Sequence, residues 1–71
     1  MEDYKARFVK EYNELLERTI KLDLIIDKYY DDVLDFEPDS PIELLEAQYH
    51  SMSAYLFILR ERAEIENIKI K

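Results

Sequence analysis

The sequence has no cysteine, no glycine and only two prolines. The lack of cysteine excludes disulfide bonds and metal sites built on thiolates. The lack of glycine, together with 48% hydrophobic and 38% charged residues, argues against a turn-rich β fold and against disorder. No apolar run approaches the ~20 residues of a membrane span, and the acidic start of the chain does not resemble a secretion signal. We therefore expect a cytoplasmic protein made of long helices.

Positive charge is also scarce. Ten lysines and arginines stand against seventeen aspartates and glutamates, which gives a formal net charge of −7. Binding to polymeric nucleic acid or to an anionic membrane gains affinity when basic side chains neutralise phosphates, so we expect this chain to bind neither. A small anionic ligand held in one local basic pocket remains compatible with this charge.

The most regular pattern in the chain runs from Phe8 to Tyr29. Apolar or small residues return at alternating steps of four and three, which is the spacing of a helix packed lengthwise against another helix. A second apolar line beside the first makes this face wider than one partner helix needs. The first line is Phe8, Tyr12, Leu15, Thr19, Leu22, Ile26 and Tyr29, and the second is Val9, Leu16, Ile20, Ile25 and Tyr30.

A second helix is predicted after an acidic segment. Ser40, Pro41 and Glu43 fit a capping box, with serine at the N-cap and proline at the first helical position. The inner line of this helix is Leu45, Tyr49, Met52, Leu56, Leu59 and Ala63, and its flanking line is Leu44, Gln48, Tyr55, Ile58, Arg62 and Ile65. We predict an all-α fold in one domain, residues 1–71: helix one about 3–32, an acidic turn about 33–40 and helix two about 41–66. The helices would form an antiparallel two-helix hairpin.

Two helices cannot enclose a core by themselves. We therefore expect the flanks to meet other copies of the chain in a homo-oligomeric helical bundle. For the aspartate-rich segment 27–39 a solvated turn is favoured over a cation site, because an EF-hand calcium loop needs a glycine at its sharp turn. The tail from Ile68 to Lys71 fits either a continuation of helix two or a separate arm.

No catalytic residues are predicted. His50 is the only histidine, it has no triad-like context, and no zinc-ligand spacing occurs. We expect a protein that is not an enzyme and that holds no metal and no cofactor. The six tyrosines admit two interpretations: rings that fill helix interfaces with their hydroxyls at the rim, or platforms that stack nucleobases beside a cation that binds phosphate.

Two spaced motifs stand on the two predicted helices, separated by the acidic turn. They are Glu11-Tyr12-x-x-Leu15-x-x-Arg18-x-x-Lys21-Leu22-x-x-Ile25 and Leu44-Leu45-x-x-Gln48-x-x-x-Met52-x-x-Tyr55-x-x-Ile58-Leu59-x-x-Arg62. Together they resemble a family of small phage proteins, the helical-hairpin sponges that counter the CBASS and Thoeris defence systems by sequestering cyclic nucleotide signals. The resemblance covers about residues 7 to 63.

The resemblance implies binding without catalysis. It implies a compact homo-oligomer, often a hexamer, in the cytoplasm of the host cell, with pockets where protomers meet. By position, Tyr12 would stack on a base of a cyclic dinucleotide and Lys28 would pair with its phosphate. Asn13 and Arg62 would serve a separate pocket for cyclic trinucleotides. Cyclic ADP-ribose isomers are a further candidate ligand class, and the number of pockets is left open.

A second function is compatible with the same sequence. An acidic helical module could dock on a host protein through its wide apolar face and act there as an inhibitor. The net charge and the exposed-looking apolar flank favour this alternative.

Overall fold

The computed structural model describes residues 2–70, and the side chains of residues 3–70. It contains two helices, α1 over Glu2–Tyr30 and α2 over Ile42–Ile65, and no strand among the described residues. The helices pack side by side and antiparallel, so that Tyr4 at the start of α1 meets Glu66 just after α2. The predicted all-α two-helix hairpin is confirmed.

The core lies along the predicted inner lines and divides into two clusters. Of the first line on α1, every residue from Phe8 to Ile26 is buried, whereas Tyr29 is exposed. The terminal cluster lies near the chain ends and comprises Phe8, Tyr12, Leu15, Leu56, Leu59, Ala63 and Ile68. The turn cluster lies near the connection and comprises Leu22, Ile26 and Ile42, with Leu45 and Tyr49 packed against it. Met52 packs against both clusters, so the two form one narrow seam rather than a closed core.

Both helices end in the same way without glycine. Asp32 and Asn67 each have a φ of 61°, in the left-handed region where aspartate and asparagine are the best substitutes for glycine. At the end of α2, Ile68 N–H donates to the Ala63 carbonyl (2.8 Å) and Asn67 N–H donates to the Glu64 carbonyl (3.3 Å). This pair of bonds is a Schellman motif, and the same pair closes α1. The left-handed residue at position 32 stops α1 at Tyr30, two residues before the predicted end.

The chain after α2 leaves the helix and returns to the core. Ile68 is only 7% exposed and belongs to the terminal cluster, and Ile70 packs against it. The described part of the tail is therefore a separate arm and not a continuation of helix two. Lys71 lies outside the described residues.

The predicted capping box does not form. Pro41 has a ψ of 148°, which is extended, so Pro41 is itself the N-cap and α2 begins at Ile42. Its carbonyl accepts the first helical hydrogen bonds, from Leu44 N–H (3.0 Å) and Leu45 N–H (3.2 Å). Ser40 consequently lies one residue too early for its hydroxyl to cap the helix, and the N-terminus of α2 has no side-chain cap. Glu43 still lies in the first turn, where its charge favours the helix dipole.

The hairpin is a rod. Its Cα extents are 46 × 18 × 17 Å and its radius of gyration is 14.9 Å, compared with about 11 Å for a compact domain of this length. Neither helix among residues 2–70 combines the length and apolar character needed to cross a bilayer.

Candidate functional site

Arginines of α2 lie over aromatic rings of α1 near the chain termini. The Arg60 Nε–H donates to the Tyr12 hydroxyl oxygen at 3.0 Å, and its guanidinium carbon lies 6.0 Å from the centre of the Tyr12 ring. The Arg62 guanidinium carbon lies 5.1 Å from the centre of the Phe8 ring. Both distances are in the range of cation–π attraction. Arg60 and Arg62 are two residues apart on α2 and lie over different rings, so each guanidinium group has its own aromatic partner.

Arg62 belongs to a closed ring of three hydrogen bonds. Its Nε–H donates to Glu66 Oε2 at 3.1 Å, and its Nη2–H donates to the Tyr4 hydroxyl oxygen at 2.6 Å. The Tyr4 hydroxyl in turn donates to Glu66 Oε1 at 2.7 Å. We call this set the Tyr4–Arg62–Glu66 triad. It ties the first turn of α1 to the residue that caps the end of α2.

A shallow groove of about 280 Å³ opens beside the triad. We call it the arginine groove, and its lining residues are Tyr4, Arg7, Phe8, Glu11 and Arg62. Arg7 is exposed and has no carboxylate within 4.0 Å among the described side chains. Glu11 accepts a hydrogen bond from the Tyr55 hydroxyl, which draws its carboxylate toward α2. The groove therefore holds two guanidinium groups beside aromatic surface in a chain that is acidic elsewhere.

The hydrogen bonds of this region shift the pKa values of its acids and phenols. The bond that Tyr4 donates, followed by the bond from Arg62, lowers the pKa of the Glu66 carboxyl. Donation to Glu66 raises the pKa of the Tyr4 phenol, although the charge of Arg62 opposes that shift. Donation to Glu11 likewise raises the pKa of Tyr55. At neutral pH Glu66 is thus ionised and all these phenols keep their protons.

The structure places the four sequence-predicted site residues in two separate regions. Tyr12, Asn13 and Arg62 lie in the half of the hairpin that contains the chain termini, and Lys28 lies in the last turn of α1. Sixteen residues of helix separate Tyr12 from Lys28, which is about 24 Å at 1.5 Å per residue. One small ligand cannot contact both residues of the same protomer.

Their exposure also differs. Asn13, Lys28 and Arg62 are exposed, whereas Tyr12 is 6% exposed and its ring belongs to the terminal cluster. The stacking role of Tyr12 stays a prediction, and it requires more of that ring to become accessible than this protomer offers.

Sequence reasoning missed the partners of Arg62. Tyr4, Phe8 and Glu66 surround Arg62, and Arg60 holds Tyr12. Tyr4 and Phe8 are four residues apart on α1, and Arg62 and Glu66 are four apart on α2. The spacing alone therefore places the members of each pair side by side on one helix face. Nothing in the spacing indicated that the two pairs would meet, because that depends on the register between the helices.

A second groove, of about 460 Å³, lies at the turn end of the hairpin. Its aromatic walls are Tyr29, Tyr30 and Phe36, and acids rather than bases stand at its edge, including Asp32 and Glu37. The Tyr30 hydroxyl donates to Glu46 Oε2 at 2.8 Å, which raises the pKa of the Tyr30 phenol. Among the described residues no group of three histidines, aspartates or glutamates is placed to hold a metal ion.

The family model described as Sequestin matches residues 2–65, nearly the complete chain. The chain belongs to the Sequestin family. This match confirms the resemblance to phage hairpin proteins that sequester cyclic nucleotides. The searches of curated proteins and of solved structures found no match to this chain. The matched segment contains both helices and all four sequence-predicted site residues of this chain, and the family name indicates sequestration as the function.

Proposed function

We propose that this protein is a phage anti-defence sponge that binds cyclic oligonucleotide immune signals in the host cytoplasm and does not degrade them. The candidate ligands are cyclic dinucleotides, cyclic trinucleotides and cyclic ADP-ribose isomers. The Sequestin match over residues 2–65 carries this proposal. The guanidinium groups of Arg60 and Arg62 beside aromatic rings support it, because phosphates and bases are bound by such pairs.

The proposed ligand residues require more than one protomer. Because Tyr12 and Lys28 lie about 24 Å apart along one helix, a cyclic dinucleotide that contacts both must lie between two chains. Two α1 helices packed antiparallel would bring Tyr12 of one protomer near Lys28 of its partner. This arrangement would give two equivalent sites by symmetry. Asp27 and Asp31 flank Lys28, so its affinity for phosphate depends on how the partner chain neutralises or displaces those carboxylates.

The surface of the single chain supports assembly. Its accessible area is 5693 Å², about 1,000 Å² more than the ~4,700 Å² expected for a compact monomer of 8.6 kDa. A stable interface covers about 800 Å² on each partner. One such interface per protomer would remove most of the excess, and a hexamer or a similar closed ring would remove more.

The same surface is apolar. Leu44, Ile58 and Ile65 of the α2 flanking line are exposed, and Ile65 shows 82% of its surface to solvent. On α1, Ile20 and Leu24 form a second exposed pair one turn apart. Apolar surface on this scale in a small protein marks an interface. We propose that further copies of this chain cover it.

Thermal unfolding with a panel of cyclic nucleotides tests the proposed function. A ligand that binds only the folded protein raises its stability by RT ln(1 + [L]/Kd), which is about 2.7 kcal/mol at a hundredfold excess over Kd. We expect a large upward shift with one cyclic species and a much smaller one with the linear mononucleotides made from it. Heating the complex and analysing the released ligand should return it intact. No shift with any cyclic species, or a hydrolysed product, would contradict the proposal.

A protein-interaction module is the second candidate function. The observation that favours it is the exposed flank of α2 on an acidic chain, since a host protein with a basic rim could cover that flank equally well. Size in solution separates the two. A closed oligomer favours the sponge, and a monomer or dimer without ligand binding favours the interaction module.

A further inference from the structure

We propose that the arginine groove is a phosphodiester site in which Arg7 and Arg62 bind the phosphate and Tyr4 contacts the adjoining base. In the free protein the Glu66 carboxylate accepts a hydrogen bond from Arg62, and the phosphate displaces it on entering the groove. This inference rests on the proposed function, because it assigns part of the ligand to a site that needs only one protomer.

The two arginines of the groove differ in how firmly they are held. Arg62 is held in place by the Phe8 ring at 5.1 Å and by its two hydrogen bonds, so its orientation is set before any ligand arrives. Arg7 is exposed and lines the same groove without a carboxylate partner among the described side chains. A phosphodiester that meets both guanidinium groups gains charge-assisted hydrogen bonds from each. The groove therefore combines Arg62, whose orientation is set, with Arg7, which has no carboxylate partner among the described side chains. It does so in a chain whose net charge is −7.

Glu66 presents the acceptors that a phosphate would present. Its two carboxylate oxygens accept from Arg62 Nε–H and from the Tyr4 hydroxyl. Two oxygens of a phosphodiester have the same charge and can accept the same two donors. If a phosphodiester replaced the Glu66 carboxylate, every donor of the triad would still have an acceptor. The exchange would therefore cost little free energy.

Glu66 is also free to leave. Its side chain is 32% exposed, and its backbone is the C-cap of α2, outside the helix proper. Ion pairs at such exposed positions contribute little to stability, so releasing Glu66 to water need not unfold the hairpin. The second acid of the groove, Glu11, is engaged by Tyr55 and does not contact Arg62 in the triad.

The size of the groove limits what enters it. About 280 Å³ is slightly below the range of roughly 300–1,000 Å³ that pockets for whole small ligands occupy. One phosphate and one base fit this volume better than a complete cyclic dinucleotide. Tyr4 is 39% exposed and presents ring surface for that base, while Phe8 is buried under Arg62 and does not. The rest of a cyclic ligand would extend out of the groove.

Calorimetric titration of the full-length protein tests the inference with two probes, the linear dinucleotide ApA and 3′,3′-cyclic di-AMP. NMR of the Arg62 Nε–H group follows the site directly. We expect Glu66→Gln to tighten binding several-fold, because the amide competes less well for Arg62, and Arg7→Ala to weaken it about tenfold. Glu64→Gln and Lys10→Ala make the same changes of charge at exposed positions outside the groove and should alter the dissociation constants much less. Circular dichroism verifies that each variant is folded.

The outcomes separate this inference from the proposed function. Tight binding of the cyclic probe that is unchanged by Glu66→Gln and Arg7→Ala would overturn the groove and leave the sponge standing. Binding of ApA that moves the Arg62 Nε–H signal, without tight binding of the cyclic probe, would support the groove alone. Equal effects of Glu66→Gln and Glu64→Gln would also overturn the inference, because only general charge would then matter.

Discussion

Three tyrosines donate their phenol hydrogens to carboxylates across the hairpin. Tyr4 donates to Glu66, Tyr30 to Glu46 and Tyr55 to Glu11, so the register between the helices is held near both ends and near the middle. Each bond raises the pKa of its phenol. The sequence predicts tyrosines that either fill helix interfaces or stack on bases. Three of them also have phenols whose pKa depends on a carboxylate of the other helix or of the chain just after it.

This role predicts a sensitivity to alkali. Because the pKa of each phenol is raised in the folded state, its contribution to stability is complete below the unfolded value of about 10 and is lost as pH rises through the folded value. Spectrophotometric titration of the phenols should show a group that ionises later than free tyrosine. In Glu11→Gln the Tyr55 phenol should ionise earlier than in the native protein. A control at Glu14, whose carboxylate pairs with Lys10, should leave the titration unchanged. Identical curves for the native protein and Glu11→Gln would contradict the assignment.

Tyr12 allows binding and folding to be separated. Tyr12→Ala should cost about 3–5 kcal/mol of unfolding free energy, because it empties part of the terminal cluster. Tyr12→Phe keeps the ring and loses only the hydrogen bond from Arg60, so it should cost about 1 kcal/mol. If Tyr12 stacks on a base, Tyr12→Phe should retain ligand affinity and Tyr12→Ala should lose it. Arg62 lies outside the core, so Arg62→Ala should abolish binding while leaving the oligomer intact. Denaturant unfolding and titration of the ligand measure the two effects separately.

At the scale of the helices, the inner lines could be predicted from the sequence and the helix ends only in part. The alternating spacing identifies Phe8 to Ile26 as buried because burial follows directly from helical geometry. The N-cap of α2 is Pro41 and not Ser40, because Ser-Pro fits both a serine N-cap and a proline N-cap and the choice depends on the ψ angle of Pro41. The Tyr4–Arg62–Glu66 triad could not be predicted, since its members lie up to 62 residues apart in the chain.

The helix ends provide a stability prediction. Asp32→Gly and Asn67→Gly should each stabilise the protein by about 0.5–1 kcal/mol, because glycine adopts the left-handed conformation without steric cost. Asp32→Gly also removes a negative charge next to the negative end of the α1 dipole. Asp35→Gly is the matched control, since position 35 has no positive φ, and it should have a neutral or destabilising effect. Thermal denaturation of the three variants ranks them.

At the scale of the whole molecule, a rod with two narrow clusters leaves its outer faces for other chains. Ile58→Asp puts a charge in the middle of the exposed α2 flank, so it should shift the protein to smaller species in sedimentation velocity and lower its melting temperature. His50→Asp introduces a similar charge on a different exposed side of α2 and should leave the assembly unchanged. Unaltered sedimentation of Ile58→Asp would exclude this flank as the interface and would favour the exposed Ile20 and Leu24 pair instead.

The division of the seam into two clusters has a consequence for local unfolding. The terminal cluster contains seven buried residues and includes the returning arm at Ile68, whereas the turn cluster contains three. Amide hydrogens around Lys28 should therefore exchange with solvent through partial openings that leave the terminal half folded. A chain that docks on Lys28 would meet a surface able to adjust to it. The arginine groove lies on the more protected half, so its ligand would have to displace only the Glu66 side chain.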